Sequence, residues 1–357
     1  MGFKTFSLLS ASYGGFLNPV ANISLNGSII SLIVAAVTGK KEKGLNAESI
    51  TITLNKDTAS SAQLVLAGGY DVEKRSFSKD LTPGQKISIS LGYGSNLEKV
   101  FVGYIGSVTY EYSSSPKVTV TAFDAVKLMM DAGVKTATWK TDSTYMETMK
   151  TILDNYKDIC PLSTLRSKPV LKKHGQLQQN ENDFVYLKDV LCKYCGRELI
   201  IVGGQSCIID ADDLFGRLTD LGPGKGLTTL KVDSSYAAFQ GKVTGSSLTQ
   251  AYGESSMIYG GSYKSKMSKP QIITKNAPFL KNDECKKLAT RLAKDAVRAT
   301  QTAEGTCVGI PDIVPGVGLG ISGVDPMWNG KTYYVDSVTH TFGSSGYTTS
   351  FRTKGWK

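Results

Sequence analysis

The chain has 357 residues and a hydrophobic fraction of 41%, which allows two or three ordinary globular domains. Its 37 glycines and 17 tyrosines favour β-structure with many turns. The apolar run at residues 29–37 is too short for a bilayer span of about 20 residues. The first residues lack the apolar core of a signal peptide. They also do not match the myristoylation pattern, because Phe6 stands where Ser or Thr is required.

Charge and cysteine content narrow the class of protein further. The net charge is +10, but the basic residues are scattered, and the densest run, residues 39–44, is too short and mixed for a nucleic-acid arm. A solvated basic surface is the preferred interpretation, and a polyanionic partner stays open as the alternative. Six cysteines are too sparse for a disulfide framework, which favours synthesis in a reducing compartment.

Residues 1–45 are rich in Gly, Ser and Asn, and they predict an N-terminal extension or arm, a hairpin at most, rather than a domain. From residue 46 to residue 124, apolar and polar side chains alternate with period two, which is typical of half-buried antiparallel strands. Three segments alternate in this way: 50–54, 87–91 and 117–123. Residues 99–108 are apolar on both faces and predict a central strand. We therefore expect a small barrel or sandwich over 46–124.

The period changes to that of helices over residues 125–235, which predicts a small α/β module. Thr144 and Glu147 form a capping box at the start of one helix. A second helix is predicted to begin with Asp183 as its N-cap and to end at Gly196. A β-hairpin turning at Gly-Gly-Gln-Ser follows this helix.

Period-two patterning resumes over residues 236–357 and predicts a second β-module. One helix interrupts it at residues 282–299, with Leu288, Leu292, Ala296 and Ala299 as its apolar stripe. The predicted fold class is mainly β with an α+β insertion. Two antiparallel β-modules that flank a spacer also suggest a duplicated unit.

Cys192 and Cys195 have the spacing of a metal or redox motif, but their surroundings argue against both. A zinc site needs two more ligands, and only the isolated Cys160 and Cys207 are at hand. A redox pair opens a helix, whereas this pair lies at a helix C-terminus. Buried structural cysteines are the preferred interpretation, and a metal shared with Cys160 or Cys207 is left open.

The two histidines decide whether the sequence describes an enzyme. His174 follows Pro169 in a loop with no nucleophile marked near it, which predicts a solvated histidine. His340 is predicted to lie on a strand of a hairpin, opposite Thr349. The same side of its strand is predicted to carry Tyr334, Asp336, Val338 and Phe342. Because no third ligand or nucleophile accompanies Asp336 and His340, we expect no catalytic residue, no metal and no cofactor.

Three stretches of the chain carry recognisable motifs. The first, residues 100–129, has Phe101, Gly103, Ile105 and Asp124 at its motif positions. The second, residues 176–210, has Gln179, Glu181, Asp183, Phe184, Leu187 and Gly196. The third, residues 309–355, has Pro315, Gly316, Tyr334, Val335, Val338, His340, Gly346, Tyr347 and Thr348. Together they resemble the late control protein D family, the baseplate hub proteins of contractile phage tails and related injection systems. The resemblance covers about residues 50–357 and leaves 1–45 unmatched.

The resemblance implies a non-enzymatic homotrimer in which each chain carries two tail-tube-like antiparallel β-barrels. Three chains would then present six similar modules that join a tail tube to a trimeric spike. The implied partners are a tail-tube or tube-initiator protein, a separate spike chain, baseplate wedge proteins, and tape-measure protein or DNA in the lumen. The implied location is a virion or phage-tail-like particle assembled in the bacterial host cytoplasm. Two alternatives stay open, a tail-associated peptidoglycan-degrading enzyme and a β-rich glycan-binding adhesin.

Overall fold

A computed structural model gives the fold of most of the chain. The residues it describes are 2–34, 46–67, 70–71, 73–74, 76–77, 81–138, 142–175, 177–212, 214–234, 238–246, 251–259, 271–277 and 280–356. The strands are β1 (Pro19–Leu25), β2 (Ser28–Val34), β3 (Asn46–Asn55), β4 (Ser61–Ala67), β5 (Tyr70–Asp71), β6 (Ser76–Phe77), β7 (Lys86–Tyr93), β8 (Asn96–Glu111), β9 (Lys117–Phe123), β10 (Lys135–Ala137), β11 (Gln178–Glu181), β12 (Arg197–Val202), β13 (Gln205–Asp210), β14 (Arg217–Leu221), β15 (Leu227–Ser234), β16 (Ala238–Ser246), β17 (Ala251–Tyr259), β18 (Gln271–Asn276), β19 (Gln301–Val308), β20 (Gly318–Ile321), β21 (Thr332–Gly343) and β22 (Gly346–Trp356). The helices are α1 (Phe6–Ser12), α2 (Ala125–Asp131), α3 (Tyr145–Leu153), α4 (Asp183–Val185, continued as a π-helix over Tyr186–Cys192) and α5 (Asn282–Ala299).

The structure is mainly β, and its two halves share one strand order. In the first half the antiparallel order is β3-β4-β9-β8-β7, and in the second it is β15-β19-β22-β21-β20. The two orders correspond strand by strand in chain direction. Two register irregularities in each half correspond as well. This agreement supports the duplicated unit that the sequence suggests.

The irregularities in register fall at matching places in the two halves. β3 slips against β4 between Ala47 and Ser49, and β15 slips against β19 between Leu227 and Thr229. In the same way, β8 slips against β9 just after Ile105, and β21 slips against β22 just after Val335. A bulge inserts one residue and bends its strand. The halves therefore share two bulges at corresponding positions, while β7–β8 and β21–β22 each have one further shift without a counterpart.

The halves are joined edge to edge into one sheet, because β21 pairs antiparallel with β3. The N-terminal segment extends the sheet at the other side, where β1 pairs with β7 and β2 pairs with β1. β14 adds to β20 in parallel. One continuous apolar core therefore runs under strands of both halves, from Ile50 and Ile89 to Val338 and Phe351.

The α/β module between the halves has a core of its own. α2, α3 and α4 pack with the β12–β13 hairpin around side chains such as Met149, Leu187 and Ile208. The predicted capping box of Thr144 and Glu147 is confirmed, with both of its hydrogen bonds present. The hairpin is also confirmed and turns tightly at two glycines, since Val202 pairs with Gln205.

The N-cap prediction for the second helix was wrong by one residue. Asn182 is the cap, and its side chain accepts from the Val185 amide at 2.9 Å. The Asp183 carboxylate is instead held by Lys135 and Tyr156, each at 2.7 Å. Charge-assisted hydrogen bonds of this kind are stronger than bonds between neutral groups.

The bounds predicted for α5 are confirmed at Asn282–Ala299, but its apolar stripe was misplaced at the C-terminal end. The buried residues are Cys285, Leu288, Ala289, Leu292 and Ala293, whereas Ala299 is exposed. The helix packs on the sheet formed by β16, β17 and β18. Toward its C-terminus the helix also contacts β22, where Arg298 lies against Gly355.

Candidate functional site

The candidate site is the contact between the β21–β22 hairpin and the loop that leads into β20. His340 lies opposite Thr349, as predicted, and is fully buried. Its Nε2 lies 3.1 Å from the carbonyl of Ile313, which only accepts, so Nε2 carries the proton. Its Nδ1 is therefore the acceptor, and the hydroxyls of Tyr347 at 2.9 Å and Thr349 at 3.1 Å are the two donors within reach of its lone pair. Thr349 Oγ1 in turn accepts from the Ile310 amide.

This arrangement makes His340 a structural clamp rather than a proton carrier. Burial lowers its pKa to about 3, although the bond to the Ile313 carbonyl favours the charged form. Burial also raises the pKa of Tyr347 well above its ordinary value. Both rings are thus neutral at physiological pH, and every polar atom of the imidazole has a partner. The arrangement fixes the loop and leaves the imidazole no free position for a ligand.

The other side of the strand differs from the prediction. Tyr333 and Val335 are buried with His340, whereas Tyr334 and Asp336 face the opposite way. The bulge after Val335 inserts one residue and reverses the alternation. Asp336 and His340 therefore do not share a face, which removes the geometric basis for an acid–base pair.

Glycines allow the loop 309–317 to approach its neighbours. A Cβ on Gly309 would lie 2.1 Å from the ring of Tyr347. Gly316 has a positive φ of 89°, and a Cβ there would lie 2.4 Å from Ile200 in the α/β module. Pro-Gly at this point is thus a requirement of packing. The loop joins the second β-half to the β12–β13 hairpin.

The N-terminal segment covers this loop, a role that the sequence did not reveal. The hydroxyl of Tyr13 donates to Asp312 at 2.5 Å, and the Tyr93 hydroxyl donates to the Gly309 carbonyl at 2.8 Å. Phe16 packs against both tyrosine rings. Burial raises the pKa of Tyr13 and Tyr93 well above the usual range. The segment therefore binds first-half and second-half residues together.

The remaining motif residues are mostly part of the packed interior. Those that are buried are Phe101, Gly103, Asp124, Asp183, Phe184, Pro315, Gly316, Val335, Val338, His340 and Tyr347. Glu181, Gly196, Tyr334 and Gly346 are half-buried, and Gln179 is exposed. The glutamine that reaches the Asp183 carboxylate is Gln178, at 3.1 Å. Gly103 has no room for a side chain, because a Cβ would lie 2.1 Å from the Phe123 carbonyl.

His174 is not the solvated loop histidine that the sequence predicted. It is buried, its Nε2 lies 2.8 Å from the Thr148 hydroxyl, and its ring stacks on Tyr145. Burial lowers its pKa. The loop folds back onto α3, and the sequence carries no local signal for this contact.

The cysteines are all free thiols. Cys192 is buried with its sulfur 3.9 Å from that of Met149, and burial raises its pKa well above the ordinary value. Burial raises the pKa of Cys195 to about 11. Within the described ranges, no three His, Cys, Asp or Glu side chains are placed to hold a metal. In the same ranges no helix is long and apolar enough to cross a bilayer.

A cluster of charged side chains fills the junction of the three modules, around a cavity of about 280 Å³. Asp57 lies 2.5 Å from Lys188 of the α/β module and 3.1 Å from Lys354 of β22. Lys354 also reaches Asp336 at 3.0 Å. Burial opposes ionisation of Asp57, but Lys56 and Lys188 hold its pKa below the usual range. The cluster ties each module to the other two.

Arg291 of α5 forms the other half of this junction. Its guanidinium donates to the carbonyls of Lys193 and Arg197 at 3.1 and 3.0 Å, and to the Glu198 carboxylate at 3.0 Å. Asp295, one turn along the helix, lies 3.8 Å away. The charged residues of this junction lie up to 297 positions apart in the sequence. No local sequence motif therefore predicts the cluster.

One row of residues on the solvent-facing side of the shared sheet carries hydroxyl groups, next to the Glu304–Arg352 ion pair of the same face. Cross-strand neighbours form one row across both halves, made of Thr306, Ser350, Thr339, Thr53 and Ser61. Hydroxyls meet at 3.0 Å between Thr306 and Ser350 and at 3.5 Å between Thr53 and Thr339. Such pairs stabilise neighbouring strands. The row crosses the junction of the halves without a charged side chain.

Asp124 caps α2, and its buried carboxyl yields a pH-dependent prediction. It accepts from the Val126 amide at 3.1 Å, and burial raises its pKa from 3.8 to about 6. The folded state therefore binds more protons than the unfolded chain between these values, so this group's contribution falls as pH rises from about 4 to 6. Asp124→Asn keeps the cap and should stabilise the protein at pH 7 by about 1–2 kcal/mol.

Urea unfolding at pH 4, 5, 6 and 7 measures the effect of Asp124→Asn. Asp124→Ala is the matched control, since it loses the cap and should cost about 1 kcal/mol. An Asn variant less stable than the wild type at pH 7 would show that the carboxylate is held ionised by contacts of its own.

Comparison with solved structures defines the class of fold. The chain has the fold of phage tail proteins and of hub-like components of type VI secretion. A tail protein from Neisseria meningitidis MC58 matches with a TM-score of 0.66 and 14% identity, covering 95% of this chain and 96% of that one. The 43 kDa tail protein of prophage MuSo2 from Shewanella oneidensis matches with a TM-score of 0.65 and 14% identity, over 94% and 98%.

A component of the E. coli type VI secretion system, described as similar to T4 tail proteins, matches with a TM-score of 0.57 and 11% identity, over 94% of this chain and 77% of that one. At these identities the likeness shows the fold alone. A family model, the Alg8 N-terminal domain, matches residues 27–188. It spans less than half of the chain and ends inside the π-helix, so it assigns no family. No curated protein sequence matches significantly.

Proposed function

We propose that the chain is a structural baseplate hub subunit of a contractile tail or phage-tail-like particle, of the late control protein D type, and not an enzyme. The observation that carries the proposal is the duplication, two β-halves with one strand order and matching bulges in one polypeptide. Three such chains present six similar modules, which matches a six-fold tube on one side and a three-fold spike on the other.

The buried polar groups support a structural role. His340 is fully bonded within the fold, and the charged junction is occupied by ion pairs between modules. We propose a tail-tube or tube-initiator protein, a separate spike chain and wedge proteins as its neighbours, in a virion or tail-like particle assembled in the host cytoplasm. We further propose tape-measure protein or DNA as the content of the lumen.

Electron-microscopy class averages of the purified chain, viewed down the symmetry axis, test this function. We expect rings with three-fold symmetry and six similar lobes. A uniform monomer at high concentration by light scattering would contradict the proposal, and so would clearing of peptidoglycan in a zymogram.

A further inference from the structure

The two similar β-halves of the chain are joined to each other by one pair of strands. Residues 337–343 of β21 pair with β22 on one side and with residues 49–55 of β3 on the other. Each side of this segment is thus used by a neighbouring strand. The two halves are therefore joined by the pairing of one strand of the second half, β21, with one strand of the first half, β3.

The counterpart of β21 in the first half is β8, and no described strand pairs with its equivalent edge. The bulges align Ile105 with Val335, so residues 107–111 correspond to 337–341. These residues pair with β9 on one side only, and among the described residues no strand pairs with the other side. Ser107, Thr109 and Glu111 on this edge are exposed.

The counterpart of β3 in the second half is β15, and its outer edge likewise has no partner among the described strands. The bulges align Ala47 with Leu227 and Ser49 with Thr229. β15 pairs with β19 and, in the part of the chain that the structure describes, with no second strand. Lys231 and Asp233 on this strand are exposed.

We propose that β8 of one copy pairs antiparallel with β15 of the next copy, in the register that β21 and β3 use within the chain. That register pairs His340 with Ile52 and Thr341 with Thr51. Transferred through the aligned bulges, it places Glu111 opposite Lys231 of the next copy. The inference rests on the proposed hub function, because it names the contact that would close the ring.

The side chains on the two edges suit each other in this register. Glu111 and Lys231 carry opposite charges, and opposite charges on facing residues stabilise a strand pair; in the single chain Lys231 pairs with Asp233 at 3.0 Å. Tyr112, 65% exposed although its ring contacts Tyr70 and Phe77, falls opposite Leu230. Tyr110, which packs on Phe77, falls opposite Val232. An aromatic ring beside a branched or aliphatic side chain is a favourable cross-strand pair.

The pairing is head-to-tail, because it joins two different edges. Such interfaces repeat from copy to copy and close into a ring when the rotation allows it. Within each chain β21 pairs with β3, and between chains β8 pairs with β15, so every module meets two neighbours through equivalent strands. The ring needs no further type of sheet contact.

Charge reversal tests the pair. Glu111→Lys and Lys231→Glu should each raise the concentration for half-assembly roughly tenfold, since like charges then face each other. The double variant Glu111→Lys/Lys231→Glu should restore it. Lys173→Glu is the matched control, because Lys173 is an exposed lysine paired with Asp142 inside the α/β module. Light scattering over a concentration series gives the measurement, and circular dichroism checks the fold.

Cross-linking reports the contact directly. Chains carrying Glu111→Cys are mixed with chains carrying Lys231→Cys and oxidised, and a disulfide dimer is expected from the mixture and not from either chain alone. Asp142→Cys replaces the first variant as the control. Rescue by the double variant together with this dimer supports the pairing.

The outcomes separate this inference from the hub function. Three-fold rings without the cross-link would overturn the β8–β15 pairing and leave the hub intact. The cross-link in rings of another number would support the pairing and overturn the trimeric hub. Monomers throughout would overturn both, and the charges on the two edges would then serve to prevent sheet aggregation.

Discussion

Replacing His340 by alanine is expected to lower the free energy of unfolding by about 3 kcal/mol. The change removes a fully buried ring and leaves the Ile313 carbonyl and the hydroxyls of Tyr347 and Thr349 without this partner. An unsatisfied buried polar group alone costs about 1–3 kcal/mol, and the vacated volume adds to this. Assembly of the folded protein should be unchanged. Urea denaturation and light scattering measure the two quantities.

The same histidine should give stability a defined pH dependence. Its pKa is about 3 in the folded state and 6.5 ordinarily, so the unfolded chain binds the extra proton between these values. The contribution of His340 is complete above about pH 6.5 and is lost as pH falls toward 3. One proton corresponds to about 1.4 kcal/mol per pH unit. His340→Gln should remove this slope, and the difference between the two pH profiles isolates it from the opposite slope of Asp124.

Thr341→Ala is the matched control for His340→Ala, because Thr341 lies on the same strand but is exposed. It should change stability by less than about 0.5 kcal/mol. If His340→Ala kept its stability and lost assembly, His340 would have to act at an interface, and its role as an internal clamp would be wrong.

The structural predictions that the structure confirms concern residues that are close together in sequence. His340 opposite Thr349 follows from a short hairpin turn, which fixes register over nine residues. The capping box at Thr144 and the bounds of α5 also follow from local patterns. Bulges escape such reasoning. The extra residue at Asp336 moves every earlier residue of β21 to the opposite face of the sheet. The residue types around it do not indicate a bulge.

The contacts that decide the architecture are distant in sequence. Two β-halves follow from period two, but the pairing of β21 with β3 brings together residues about 290 positions apart. The burial of His174 and the docking of Tyr13 on Asp312 have the same cause. In each case the residue is not part of a recognisable motif, and its partner is brought close only by the tertiary fold. Fold class was therefore predictable, whereas the way the halves join was not.

Replacing Arg291 by leucine is expected to have the second large effect, a loss of about 3 kcal/mol. The guanidinium is 13% exposed and satisfies the Glu198 carboxylate and two backbone carbonyls. Removing one partner of a buried ion pair leaves the other charge uncompensated, at a cost of about 3–5 kcal/mol. Glu198 also contacts Lys56 at 3.9 Å. Because Lys56 still compensates part of its charge, we expect a loss at the lower end of this range.

The effect should be specific to the contact between modules, because Arg291 links α5 to the α/β module. Lys294→Leu is the matched control, since Lys294 lies on the same helix and is exposed. Burial raises the pKa of Asp295, and losing Arg291 should raise it further. The Arg291→Leu deficit at Asp295 should therefore shrink as pH falls through the carboxylate range. Denaturation of both variants at pH 5 and pH 8 measures this. A deficit of the same size at pH 5 and pH 8 would show that the contacts with the backbone carbonyls, rather than charge compensation, account for the role of Arg291.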